Sequence, residues 1–113
     1  MDYSLCDQTV TLYRKNPEGI LRLELFDCFF LWKDGVSYDR LGKQQERKFL
    51  LIQPGEEQLV FPGDRVFAGI GPEIALEDWN TFIPQAVDGL AQVAYAAPYY
   101  WQGQFCHTEA GRK

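Results

Sequence analysis

Cys106 and His107 are neighbours, and His107 is the sole imidazole of the chain. A thiol beside an imidazole is the raw material of a nucleophile–base pair, in which the ring takes the thiol proton. Adjacent residues of a β-strand point to opposite faces, so in a strand these two side chains do not meet. The favoured reading is structural, and a small enzyme built on Cys106 or His107 stands as the rival. Cys6, Cys28 and Cys106 are widely spaced and include no Cys-x-x-Cys pair, so no zinc site is expected. Gly69-x-Gly71 lacks the third glycine and the following amphipathic helix of a dinucleotide loop. Glu56-Glu57 and Glu77-Asp78 read as solvated charge in loops rather than as acid/base pairs. No catalytic, cofactor-binding or metal-ligating residue is expected, and the chain reads as a non-enzyme.

Recognition chemistry is easier to find. Tyr99, Tyr100 and Trp101 form an aromatic cluster just before Gly103. Core packing and a protein interface compete for it, since aromatics near a β-edge are typical interface anchors. Stacking of single-stranded nucleic acid is disfavoured, because the cluster has few basic neighbours. The polar stretch Leu41–Lys48 carries Lys43, Arg47 and Lys48 against Glu46. It reads either as a solvated loop or as an arm that orders on meeting a neighbouring subunit. Leu59 and Phe61 add apolar contacts in the connection that follows. The candidate interface is therefore Leu41, Lys43, Arg47, Lys48, Leu59, Phe61, Tyr99, Tyr100 and Trp101.

These residues need a frame, and the pattern is β throughout. Gln8–Tyr13 alternates, with Val10 and Leu12 on one face. Arg14–Gly19 reads as a turn from its Asn-Pro and Gly. Ile20–Trp32 is a long strand whose apolar phase shifts between Leu25 and Phe26. A β-bulge or a sharp bend there would turn Leu21, Leu23 and Leu25 inward together with Phe26, Cys28, Phe30 and Trp32. Lys33-Asp34-Gly35 is a tight-turn signal, with Val36–Arg40 returning as a hairpin strand. Glu46–Gln53 is a strand with Phe49/Leu51 and Leu50/Ile52 on opposite faces, so it should lie between two layers or at an interface. Arg65–Gly69 follows the Pro62-Gly63-Asp64 turn, and the two strands flanking this connection are expected to form the central pair of the fold. Glu77–Trp79 could make one helical turn near Glu77–Phe82. For Gln85–Ala97 a strand is favoured over a helix. Tyr99–Gly103 reads as an aromatic turn, Gln104–Glu109 as the last strand and Ala110–Lys113 as a polar tail.

Composition sets the outer limits. The chain has 113 residues, 46% of them apolar, which suits one globular domain. Aromatics make up 15% of the chain, and with ten Gly and six Pro that share leans towards all-β. The expected fold is an all-β, mainly antiparallel small barrel or sandwich with one short helix at most. The net charge of −5 argues against a sequence-specific nucleic-acid reader, which needs a basic face. Neither a leader with a basic start nor an apolar run of membrane-spanning length is seen. An odd number of distant cysteines fits reduced thiols in a bacterial-type cytosol.

In combination, Thr9–Tyr13, Phe30-Leu31-Trp32, Asp39–Gly42, Phe49–Pro54, Pro62–Val66, Tyr100–Gly103 and Cys106–Gly111 resemble a family of small structural proteins. That family is encoded in tailed phages and prophages of Gram-positive bacteria, among minor capsid and head-tail connector genes. The resemblance implies a small β-barrel or sandwich that joins head to tail by subunit–subunit contacts. It implies a homo-oligomeric ring in the particle, with portal, head-completion or tail proteins as partners. It implies a location in the virion, and in the host bacterial cytoplasm during assembly. No membrane is expected to take part. Gly63, Asp64, Gly103, His107, Glu109 and Gly111 match as structural positions. The alternative is a small barrel that binds a peptide or small ligand near Tyr99–Trp101.

Overall fold

The computed structural model describes residues 3–33 and 48–112. The expected turn at Lys33–Gly35 beyond Lys33 itself, the hairpin strand Val36–Arg40 and the Leu41–Lys48 stretch up to Lys48 fall outside them. The chain is all-β and antiparallel. Its strands are β1 (Gln8–Asn16), β2 (Gly19–Trp32), β3 (Phe49–Pro54), β4 (Arg65–Ala68), β5 (Leu90–Gln92), β6 (Tyr95–Trp101) and β7 (Gln104–Arg112). One 3-10 turn, Leu76–Asp78, stands where a helical turn was expected.

The strands lie in the order β5-β4-β1-β2-β3-β7-β6. The two outer strands are consecutive in the chain, separated only by Val93 and Ala94. The sheet therefore curls, and a nearly continuous stretch links its two edges. Its first half pairs with β4 through Leu90↔Phe67 and Ala91↔Val66. Its second half pairs with β7 through Ala96↔Ala110 and Tyr99↔His107. β2 bends in the same way on the opposite side. Its first part pairs with β1 and its last part with β3. The bend sits at the expected phase shift. Val10 pairs with Leu25 but Gln8 with Cys28, so Phe26 and Asp27 together oppose Thr9. Asp27 has φ 56°, the left-handed conformation that a bulge of this kind uses. The bulge keeps Leu25, Cys28 and Phe30 inward, but Phe26 turns out and is 62% exposed. Its expected place in the core is thus corrected: the extra residue lifts Phe26 off the inward phase.

Inside, Val10, Leu12, Leu25, Cys28, Phe30, Phe49, Leu51, Val60, Val66, Ala91, Val93 and Ala110 form one core drawn from both halves of the sheet. Each large aliphatic or aromatic side chain buried there contributes about 1.5–3 kcal/mol against exposure. Phe30 stacks on Phe49 at 5.4 Å between ring centres, with Trp32 edge-on at 4.9 Å from Phe30. A second core lies outside the sheet. The excursion between β4 and β5 folds back over β1 and buries Tyr13, Phe82 and Leu90 against Phe67, Ile74, Trp79 and Val87. Thr11 pins it by donating to the Gly69 carbonyl and accepting from the Gly71 amide, and Tyr13 donates to the Pro72 carbonyl. Arg65 reaches the same excursion, donating to the Trp79 and Phe82 carbonyls while its guanidinium lies 3.6 Å over the Trp79 ring.

Several local expectations change. β3 and β4 do not pair; β3 lies between β2 and β7, and β4 between β1 and β5. Their long connection crosses the barrel instead of closing a hairpin. The strand buried on both faces is β1, not β3, whose outward Leu50 and Ile52 are only half-buried. The first turn shrinks to Pro17-Glu18, because β1 and β2 pair as far as Asn16↔Gly19. Gln85–Gly89 is irregular, and the strand expected there splits into β5 and β6. Tyr99–Trp101 belongs to β6 and the turn is Gln102-Gly103, both with positive φ, as a two-residue hairpin with the strands' own twist requires. Ala110 and Gly111 are not a tail but the buried end of β7.

Candidate interaction surface

The β6–β7 hairpin carries the main candidate surface. Among the described residues β6 pairs only with β7, so its other side is an edge of the described sheet. Pro98, with no N–H to share, sits in its middle, a placement found on edge strands. A bulge on β7 shapes the tip: Tyr99 faces His107, Tyr100 faces Phe105, and Cys106 is the extra residue between them. Tyr99 stacks flat on the His107 ring, with centres 4.9 Å apart and planes 13° from parallel. Tyr100 meets Phe105 edge-on. Tyr100 remains 62% exposed and Trp101 69%. Core packing, one of the two readings of this cluster, is thus ruled out for these side chains.

The surroundings of this tip make it unusual. No Asp, Glu, Lys or Arg occurs between Asp88 and Glu109, in a chain that is 24% charged. Pro98 through Gln104 are all exposed. An uncharged, aromatic, amide-bearing protrusion has the composition of an interface centre, where aromatics are enriched and charges depleted. The gap in charge is plain in the sequence and was the signal to use; the aromatic residues alone could equally have filled a core.

A second cluster lies beside it on the outer face. The N-terminal segment crosses this face, and the Tyr3 hydroxyl hydrogen-bonds to His107 Nδ1 at 2.7 Å. With the ring proton on Nε2, the hydroxyl is the donor. Burial pulls the His107 pKa below its ordinary value, and the Glu109 carboxylate partly offsets that. A groove of about 330 Å³ opens there, lined by Tyr3, Ser4, Leu5, Cys6, Phe29, Ile52 and His107. The His107 ring is held by Tyr3 and Tyr99. Cys106 Sγ donates to the Gln104 carbonyl at 3.6 Å. Cys28 lies in the core, where burial pushes its pKa up to about 12. Among the described residues, no three His, Cys, Asp or Glu side chains come together as a metal site.

A third feature is a cleft of about 460 Å³ lined by Arg14, Lys15, Phe61, Pro62, Gly63, Asp64 and Trp79. The Pro-Gly-Asp turn builds one wall. Asp64, nearly fully buried, accepts from Arg14 Nε at 2.8 Å, Arg14 Nη2 at 2.7 Å and the Phe61 amide at 2.9 Å. The hydrogen bond to Asp64 holds the Arg14 pKa above its ordinary value. The Arg14 guanidinium lies 5.1 Å from the centre of the exposed Phe61 ring. The cleft thus combines aromatic walls with cationic groups, in an acidic chain.

The sequence-derived interface residues do not form one surface. Tyr99, Tyr100 and Trp101 share the hairpin, whereas Phe61 belongs to the cleft. Leu59 packs half-buried against the core, so it is a core neighbour more than a contact residue. Lys48 is exposed where the chain enters β3, its carbonyl accepting from the Lys33 amide. Leu41, Lys43 and Arg47 lie outside the described residues. Arg14, Lys15 and Trp79 had not been singled out; the adjacent Arg14 and Lys15 stand far from Trp79 in sequence and meet it only through the packing of β1, the Pro-Gly-Asp turn and the excursion. No protein-family model, curated protein or solved structure matches the chain.

Proposed function

We propose that this protein works by binding other proteins, as a structural component at the neck of a tailed phage or prophage particle. In this reading it completes the head or joins head to tail, acting through subunit contacts and not through catalysis. The observation that carries the binding role is the uncharged aromatic tip of the β6–β7 hairpin, with Tyr100 and Trp101 largely exposed. Large exposed aromatics are unfavourable in water unless something covers them, and they act as anchors when it does. The particle setting rests on the family resemblance of the motifs along the chain. An acidic net charge also suits a conduit for DNA, where like charge prevents sticking. Neighbouring copies, portal, head-completion and tail proteins are the partners in this proposal, and virion and host cytoplasm its locations.

The test is a disruption of the coding sequence in an inducible prophage that carries it, followed by electron microscopy of the lysate. Filled heads and unjoined tails, restored to whole particles by the wild-type chain in trans, are the expected result. Normal joined particles that lack the protein by mass spectrometry would exclude the neck role. The groove beside His107 favours a second reading, a barrel that holds a peptide or small ligand. That reading requires binding in solution by the isolated chain, with no effect on particles.

A further inference from the structure

A buried arginine without a carboxylate lies against the Trp79 wall of the cleft. Arg65 is only 9% exposed, yet among the described residues neither it nor Lys15 takes part in an ion pair. Its Nη1 donates to the Trp79 and Phe82 carbonyls, which fixes the guanidinium over the Trp79 ring. Its Nε is buried and has no hydrogen-bond partner among the described residues. Nε and Nη2 form the edge of the guanidinium that matches the paired oxygens of a carboxylate or phosphate. Burial pulls the Arg65 pKa below its ordinary value, with no carboxylate counteracting it. A buried charge in this condition is costly until an anion meets it.

The strand register puts a second cation beside the first. Arg65 opposes Tyr13 across the β1–β4 ladder, and Lys15 lies two residues further along β1 on the same face. Diagonal neighbours of this kind stand about 7–8 Å apart, so two long side chains can converge on one small ion between them. Lys15 is exposed and lines the cleft together with Trp79 and Gly63. A Cβ at Gly63 would meet nothing within 4 Å, so this part of the cleft has room. The neighbouring charges are already engaged. Arg14 and Asp64 neutralise each other, and Asp78, next to Trp79 in the chain, turns its carboxylate to the Ala75 amide. Arg65 and Lys15 are thus left as two cations without an anion, in a chain whose net charge is −5. We infer that the Trp79 end of the cleft is a site for one compact oxyanion, a phosphate or carboxylate group of a small molecule, held between Arg65 and Lys15. The negative charge of the whole chain repels an extended polyanion such as nucleic acid, whereas a small ion reaches the local cations. This goes beyond the assembly role and does not depend on it.

The test is a titration of the isotope-labelled full chain with sodium phosphate, and separately with sodium acetate, at an ionic strength held constant with sodium chloride. NMR follows the Arg65 Nε–H and Trp79 indole signals. Both should shift and saturate in the millimolar range with phosphate, acetate or both. Saturation by phosphate assigns a phosphate group to the site, and saturation by acetate a carboxylate. Lys15→Gln changes an exposed side chain and should weaken binding by about tenfold, the size of one hydrogen bond to a charged group. Arg65→Lys keeps the charge but loses the planar fork, and should weaken binding at least as much. If Arg65→Lys loosens the excursion, Lys15→Gln decides alone. Signals that stay in place, or drift without saturating as they do with chloride, would overturn the inference. So would a Lys15→Gln chain that binds as tightly as wild type.

Discussion

Asp64 offers the sharpest test of the packing that holds the cleft open. Its carboxylate receives two bonds from Arg14 and one from the Phe61 amide. Asp64→Ala removes all three and leaves a guanidinium facing an apolar wall. Deleting one partner of a fully buried pair typically costs about 3–5 kcal/mol. The Arg14 side chain, however, is 30% exposed and can regain water, which discounts that figure. Arg14 Nη2 also keeps its bond to the Leu59 carbonyl at 2.9 Å. A loss of about 2–3 kcal/mol is therefore expected, in line with hydrogen bonds to charged groups at ~1.5–3 kcal/mol. With a urea slope of about 1–3 kcal/mol per molar, the unfolding midpoint should fall by about 0.7–3 M at unchanged slope. Asp64→Asn keeps one acceptor oxygen and should lose less. Combining Asp64→Ala with Arg14→Met separates the pair from the amide contact. A coupling of about 1 kcal/mol or more is expected for partners in direct contact. A midpoint within about 0.3 M of wild type, or fully additive losses, would refute the account of this turn.

Other outcomes follow from the same structure. His107 is favoured neutral in the folded state, since burial lowers its pKa from 6.5. The unfolded chain then takes up the extra proton as pH falls below that value, so stability is full above it and declines towards the lowered folded-state pKa. Thermal melts at pH 7 and pH 5 should show a smaller drop in Tm for His107→Gln than for wild type, and equal drops would exclude the effect. The facing groups Tyr3, Cys6, Tyr99, Cys106 and Glu109 are common to both proteins. At pH 8, iodoacetamide followed by peptide mass spectrometry should label Cys6 and Cys106 well before Cys28. Cys28 is 1% exposed with its pKa at about 12, and it should react only when urea unfolds the chain. Early labelling of Cys28 would mean that the core opens readily. Gly111→Ala places a Cβ against the Phe49 carbonyl between β7 and β3. Backbone must move, and a loss of about 1–3 kcal/mol in chemical denaturation is expected. A neutral result would show that the β3–β7 pairing is looser than the register Leu50↔Gly111 implies.

Local chemistry settled a good deal of this fold from sequence. Alternation marked β1 and β2, because a half-buried strand must alternate wherever one face meets the core. The break in phase at Leu25–Phe26 marked the region of the β2 bulge, though not that Phe26 turns outward. The opposite faces of Phe49/Leu51 and Leu50/Ile52 were also legible, as was the structural character of Pro62-Gly63-Asp64. Partnership was not legible. β3 and β4 are close in sequence yet belong to different halves of the barrel, since strand pairing is decided by which faces can be buried together. Tyr13 and Thr11 look like ordinary outward positions of β1 until residues 69–89 fold over them. Tyr100 and Trp101 carry the same side chains whether in a core or on a tip; only the edge position of β6 leaves them in water. The cleft is wholly a tertiary product. Arg14 and Asp64 are fifty residues apart in the chain, and the buried carboxylate that joins them exists only once β1 and the turn have packed. Sequence determined the strands, the bulge and the turn chemistry, because those depend on neighbouring residues. The curled sheet determined which aromatics stay exposed and which are buried, because exposure is a property of the whole packing.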